Sequence, residues 1–224
     1  MNDRRRELGS GEVHVWVMDA AERRPDASAS GNADHATIWG FVRETLAGYI
    51  GKAPDSLCIV KNEWGKPALR DEVLEFSLSH SDRFTALAVS HMRVGVDIEV
   101  PRQLSDALAL ARRFFSAEDA KELERVPDVQ RDYAFLVSWT RKEAVLKGLG
   151  IGISGHLNQL GITCAADQPV SLLGTPWNPE IAKHWRIVDL DLGHELHAAL
   201  AVETTAMPRI VIRQEATAAD DRPG

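Results

Sequence analysis

The chain has 224 residues, 44% of them hydrophobic, and a formal net charge of −7, enough apolar content for one larger core or two small halves. That charge argues against nucleic acid or an anionic membrane as the main partner, so an anionic ligand would need a local basic patch or a bound cation. Cys58 and Cys164 are too few and too far apart for a disulfide framework or a thiolate cage, no apolar run spans a membrane, and Arg4-Arg5-Arg6 leads into Gly9 to Glu12 rather than a signal-peptide core; a soluble, cytoplasmic protein is expected.

In chain order, residues 1–12 are expected to be extended or disordered. Residues 13–18, β-branched and aromatic, predict a strand with Val13, Val15 and Val17 on one face. Residues 19–32, with Pro25, read as loop. Asp34 is placed to cap a helix reaching about residue 50, with Ile38, Phe41, Val42, Thr45, Leu46 and Tyr49 inward. A short strand at 57–60 and a turn-rich loop at 61–67 follow. Residues 73–78, 85–90 and 94–100 predict three strands whose short polar turns favour an antiparallel meander, ended by Pro101. Helices are expected at about 105–115, from the Ser116 cap to 125, and at 128–147, then a glycine-spaced loop at 148–155. Strands return near 161–164, 185–190, 195–203 and 209–213. Residues 215–224, acidic and without large apolar side chains, read as disordered.

Ala86-Leu87-Ala88-Val89 recurs as Ala199-Leu200-Ala201-Val202, each copy followed by a strand that starts near an arginine, Arg93 or Arg209. If the echo is a duplication, the chain is two similar α/β halves, residues 13–101 and 102–213, with a tail from 214 to 224.

Two stretches carry chemistry. On the helix at 128–147, Leu136, Trp139, Glu143 and Leu146 share one face, which puts a carboxylate in an apolar stripe. Burial there needs a compensating cation, network or metal, and Lys147 is one turn away. Taken alone, Glu143 and Lys147 read equally as an ordinary surface pair. In the strand at 94–100, Val94, Val96, Ile98 and Val100 face one way, and Asp97 and Glu99 the other. Taken alone this is the pattern of a half-buried strand with a wet face, but two carboxylates on adjacent same-side positions repel, and a divalent cation removes that cost. Oxygen donors without nearby Cys or paired His suit Mg²⁺ or Mn²⁺, ions that keep positions open for water and substrate phosphates. Basic groups for such phosphates are available in Lys66, within a Gly-Lys-Pro turn, and His80, within Ser77-Leu78-Ser79-His80-Ser81.

Gly95-Val96-Asp97-Ile98-Glu99 and the later Trp139-Thr140-Arg141-Lys142-Glu143-Ala144-Val145-Leu146-Lys147 closely resemble the phosphopantetheinyl transferases of the surfactin-synthetase type. Gly65-Lys66-Pro67, Phe76-Ser77-Leu78-Ser79-His80-Ser81 and Arg113-Phe114-Phe115-Ser116 resemble that family's other signatures, in its order. The resemblance implies an α/β (α+β) fold of two similar halves related by a pseudo-twofold, acting as a monomer with coenzyme A and Mg²⁺ between them. It implies transfer of the 4'-phosphopantetheine arm of coenzyme A to a serine of an apo acyl or peptidyl carrier protein. By position, Asp97, Glu99 and Glu143 would hold the metal, with Asp97, Glu143 and Lys147 in the chemistry: Glu143 accepting the serine proton and Lys147 meeting the departing phosphate. Lys66, Ser79, His80 and Lys147 would bind coenzyme A. One departure stands out: Ala36 occupies a position where the family carries an arginine, for which Arg23 or Arg24 could substitute. Other readings of the same residues are a non-catalytic relative that binds coenzyme A or a carrier protein, and a Mg²⁺-dependent phosphohydrolase.

Overall fold

Alternating valines in two separate stretches meet to form the centre of the molecule. In the computed structural model, which describes residues 6–23, 33–70, 72–152, 156–163, 170–193 and 196–214, the strands are β1 (Glu12–Asp19), β2 (Ile59–Lys61), β3 (Pro67–Leu69), β4 (Glu75–Ser81), β5 (Phe84–Ser90), β6 (Val94–Glu99), β7 (Gly161–Ile162), β8 (Leu172–Gly174), β9 (Trp185–Asp189), β10 (His197–Glu203) and β11 (Arg209–Gln214). The α-helices are α1 (Ala20–Arg23), α2 (His35–Ile50), α3 (Ala107–Phe114), α4 (Ala117–Glu124), α5 (Asp128–Leu149) and α6 (Ile181–His184). One sheet runs β11-β1-β5-β4 and a second β6-β10-β9, with the small pairs β2-β3 and β7-β8 beside them.

The two main sheets pack face to face. Val13, Val15 and Val17 of β1 and Ala86 and Ala88 of β5 meet Val94, Val96 and Ile98 of β6 and Leu200 and Val202 of β10. Helix α2 covers the outer face of the first sheet through Ile38, Phe41, Val42 and Leu46, packed on Met18, Phe76 and Leu87. Helix α5 covers the second through Ala144 and Val145, against Trp185, Ile187, Ala199 and Ala201. The order of layers is helix, sheet, sheet, helix, an α/β arrangement that covers both faces of the two central sheets. Asp34 caps α2 as expected, accepting from Thr37 N, and Ser116 caps α4. Residues 6–11 lie on the first half: Arg6 N donates to Gly48 O, and its guanidinium sits 4.3 Å from the centre of the Trp16 ring.

The expected three-strand meander stops after two strands. β4 and β5 form an antiparallel hairpin, but β1 occupies the other edge of β5, so β6 finds no free edge on the strand before it. It pairs instead with β10, antiparallel, at the edge of the second sheet. Its outer edge is satisfied by side chains: Val96 N, Ile98 N and Val100 N donate to the hydroxyls of Ser77, Ser79 and Ser81, at 3.1, 3.3 and 3.1 Å. Three alternate serines of β4 thus replace a backbone ladder and join the two sheets.

The two copies of Ala-Leu-Ala-Val are central strands, β5 between β1 and β4 and β10 between β6 and β9. Each half of the chain sends its last strand into the other half's sheet. β6 joins β10, and β11 pairs parallel with β1. The division at residue 101 is therefore one of sequence and not of the sheets. Further differences are small: α5 continues through Gly148 to Leu149 before Gly150 turns left-handed at φ 73°, and β3, β8, α1 and α6 are short elements that no periodicity announced. The expected tail at 215–224 and Cys164 lie outside the described residues. Among the described residues no helix is long and apolar enough to cross a membrane.

Gly148 stays helical because α5 lies against the backbone of β6. A Cβ on Gly95 would stand 1.9 Å from Ala144 O and 2.2 Å from Gly148 N, and a Cβ on Gly148 would strike the Trp185 ring at 2.4 Å. Gly95→Ala must push the helix off the strand, and a loss of about 3 kcal/mol or more is expected, at or above the upper end for overpacking, read from the urea midpoint.

Candidate active site

The close approach of α5 to β6 brings the acidic residues together. Val94, Val96 and Ile98 point into the inter-sheet core, leaving Asp97 and Glu99 on the face that meets α5. Asp97 is only 2% exposed. Its Oδ1 accepts from Ser79 Oγ at 2.7 Å and from Lys147 Nζ at 2.5 Å. Its Oδ2 is buried with no donor. Lys147 also donates to Ser79 Oγ at 2.9 Å and lies 3.8 Å from Glu143. The i,i+4 pair read from the sequence is thus the looser of two contacts, and the closer crosses between the halves of the chain.

Burial, above all, raises the carboxyl of Asp97, with Lys147 opposing. Glu143, largely buried, is pushed up to about 8, first by burial and then by the charge of Asp97; Lys147 opposes this and Glu99 adds to it. Two acids facing one ammonium in a place poor in water cannot both ionise at low cost.

The other expected residues are arranged differently. Glu99 turns toward the rim, where its Oε2 accepts from Ser81 Oγ at 3.1 Å and from Arg102 Nη1 at 2.6 Å. Among the described residues, no three His, Cys, Asp or Glu side chains stand ready as a metal cage; Asp97 and Glu143 are buried beside Lys147, and Glu99, paired with Arg102, still acts by its charge on both. Ser79 faces inward, its hydroxyl engaged by Asp97, Lys147 and Ile98 N. Lys66 Nζ donates to Val94 O and Gly148 O, both at 3.2 Å. Of the four residues expected to bind coenzyme A only His80 is exposed, on the opposite side of β4 from Ser79. Ala36 is exposed in the first turn of α2, and Arg23 pairs with Glu44 at 2.5 Å along that helix. Arg24 lies outside the described residues.

A family model described as the 4'-phosphopantetheinyl transferase superfamily matches residues 93–201, the span that holds β6 and α5. The 4'-phosphopantetheinyl transferase HetI of Nostoc sp. (strain PCC 7120) is 34% identical over 219 residues, covering 87% of this chain and 89% of that protein. The chain belongs to the 4'-phosphopantetheinyl transferase superfamily. A 4'-phosphopantetheinyl transferase of Bacillus subtilis is 33% identical over 75% of this chain and 76% of its own, and Sfp of Bacillus subtilis (strain 168) is 31% identical over 62% of each. A crystal structure of Thermotoga maritima holo-[acyl-carrier-protein] synthase superposes on 51% of this chain and 64% of its own at 16% identity and a TM-score of 0.40, too loosely to bear on the argument.

In this phosphopantetheinyl transferase the remaining residues of the long motif hold α5 in place. Lys142, fully buried, bonds Asp119 Oδ2 of α4 at 2.6 Å and the carbonyls of Leu157 and Leu160. Arg141, also buried, makes a two-point contact with Asp189 of β9 at 2.9 and 2.6 Å and donates to Thr163 O. Trp139 packs among Phe114, Phe115 and Phe135, which gives Arg113-Phe114-Phe115-Ser116 a structural place. Sequence reasoning missed Arg102, the pairing of Asp119 with Lys142, and the serines as a ladder. The period-two serines at 77, 79 and 81 were the one signal that could have been read.

Two outcomes are expected for this transferase. Because the folded-state value of Glu143 lies above its ordinary 4.5, the folded protein holds a proton that the unfolded chain releases. In chelator-containing buffer the unfolding free energy should fall as pH rises from about 4.5 toward about 8, at up to ~1.4 kcal/mol per pH unit for the single group. Glu143→Gln should flatten that slope in pH-dependent denaturation. Lys142→Met should cost about 3–5 kcal/mol by stranding buried Asp119, and Lys142→Met with Asp119→Leu should recover most of it.

Proposed function

We propose that this chain transfers the 4'-phosphopantetheine arm of coenzyme A to a serine hydroxyl of an apo acyl or peptidyl carrier protein, leaving adenosine 3',5'-bisphosphate. The observation that carries the reading is the juxtaposition of Asp97, Glu143 and Lys147 between β6 and α5.

The residues present fit a hard divalent cation, Mg²⁺ or Mn²⁺. A buried oxygen, Asp97 Oδ2, accepts from no basic group and stands beside a second carboxyl, Glu143, whose ionisation is opposed first by burial and then by the charge of Asp97. Oxygen donors alone supply the set. Asp97 and Glu143 would hold the ion, with Glu99 joining once released from Arg102. A bound cation would supply charge neutralisation for the diphosphate of coenzyme A.

This chain's own groups do the rest. Glu143 takes the proton of the carrier serine, directly or through water, as the serine oxygen forms its bond to the β-phosphorus. The bond that breaks joins that phosphorus to the oxygen bridging to the α-phosphate, and negative charge collects on the leaving bisphosphate. Lys147 is placed to meet that charge. Ser79 keeps Asp97 and Lys147 in register, and His80 is available to a phosphate at the surface. The reading includes a monomeric, cytoplasmic enzyme.

Incubation with apo carrier protein, coenzyme A and Mg²⁺ should give the pantetheinyl adduct by mass spectrometry; no adduct with several unrelated carriers would count against transfer, and adenosine bisphosphate released without a carrier would mark a hydrolase. Turnover should vanish with chelator and return with Mg²⁺ or Mn²⁺. Glu143→Gln should keep the fold and lower kcat at least ~100-fold, so a near-normal rate would remove Glu143 from its role.

A further inference from the structure

The end of α5 is held from outside. The last carbonyls of a helix have no partner within it. At the end of α5, Leu146 O and Lys147 O are taken by backbone N–H groups of the cap. Each of the next three carbonyls receives a side chain from the first half of the chain. Lys66 Nζ donates to Gly148 O at 3.2 Å, Arg93 Nη2 to Leu149 O at 2.8 Å and Asn62 Nδ2 to Gly150 O at 2.7 Å. Lys66 Nζ reaches Val94 O, the first residue of β6, as well. Asn62 Oδ1 accepts from Lys66 N and Trp64 N, so the loop that presents Lys66 is shaped by the same asparagine. Two of the three donors are cations at the negative end of the helix dipole.

We propose that Asn62, Lys66 and Arg93 form a clamp that sets the position of Glu143 and Lys147 relative to Asp97, which makes Lys66 a positioning residue and not a phosphate ligand; the assignment rests on the transferase reading above. The contact of α5 with β6 at Gly95 is backbone against backbone, so beside Asp97 the register of helix on strand is not set by an interlocking side chain of either element. Hydrogen bonds at the helix end do resist sliding. Lys66 joins the two elements directly, because Gly148 follows Lys147 by one residue and Val94 precedes Asp97 by three. The lysine is partly buried, with its ammonium engaged by two carbonyls, and withdrawal toward a phosphate would leave both acceptors unmet. A displacement of about 1 Å is enough to lose a short contact such as that of Lys147 with Asp97, and with it much of the rate.

Steady-state transfer by the full chain to an apo carrier, with coenzyme A and with 3'-dephospho-coenzyme A, separates the two roles. Lys66→Met should lower kcat about 10-fold or more, with KM for coenzyme A within about twofold and the preference for the 3'-phosphate unchanged. Lys66→Arg, which still offers donors, should recover most of kcat, and Arg93→Met should repeat the pattern more weakly. A rise of about 10-fold in KM at unchanged kcat, or loss of the preference for the 3'-phosphate in Lys66→Met, would make Lys66 a ligand and overturn the clamp. So would a lowered Tm with unchanged kcat. If Lys66→Met does not fold, Arg93→Met and Asn62→Ala decide by the same split. If the wild-type chain transfers nothing, the transferase reading fails and hydrogen exchange judges the clamp: amides of residues 144–150 should exchange at least ~10-fold faster in Arg93→Met, and unchanged protection overturns it.

Discussion

Helix α5 rests backbone against backbone on strand β6, and that contact exists because positions 95 and 148 carry no side chain. From it follows the placement of the chemistry. A helix standing off by the usual width of a side chain would leave Lys147 out of reach of Asp97, and Glu143 would face solvent. At that one point no side chain of β6 interlocks with the helix, although Trp185, Ile187, Ala199 and Ala201 of the same sheet pack against it. The neighbourhood supplies further restraints: Lys142 to Asp119, Arg141 to Asp189, and three side chains on the final carbonyls.

The site so formed is poorly balanced in charge, which separates it from an ordinary structural ion pair. Lys142 and Asp119 are equally buried, yet each has its counter-charge, and carbonyls complete the ammonium's partners. Asp97 and Glu143 share one lysine, and one oxygen of Asp97 has no donor at all. A protein stabilised only for folding gains little from such an arrangement, because a buried unpaired oxygen is costly. That imbalance is the ground on which a divalent cation is proposed above.

The exchange of strands between the sheets serves the same end. β6 belongs to the first half in sequence but to the second in hydrogen bonding, and the serines of β4 bind its free edge. Asp97 therefore sits where both halves reach it, with Ser79 from one and Lys147 from the other.

Much of this was legible in the residues themselves. Strict alternation in β6 divided its side chains between the inter-sheet core and the opposite face, the one that meets α5, since the period of a strand leaves only two choices. The spacing along α5 put Glu143 on an apolar stripe, and the Asp34 and Ser116 caps marked helix starts to within a residue. Local geometry follows from local sequence because backbone sterics and hydrogen bonding act over a few residues. Pairing between remote segments does not. That β6 leaves its neighbour β5 for β10, that Ser79 and Lys66 turn to backbone and carboxylate partners, and that Glu99 pairs with Arg102 depend on which edges and charges are free once the whole chain has packed. Competition among distant partners settled those contacts, and only the folded structure brings the competitors within reach.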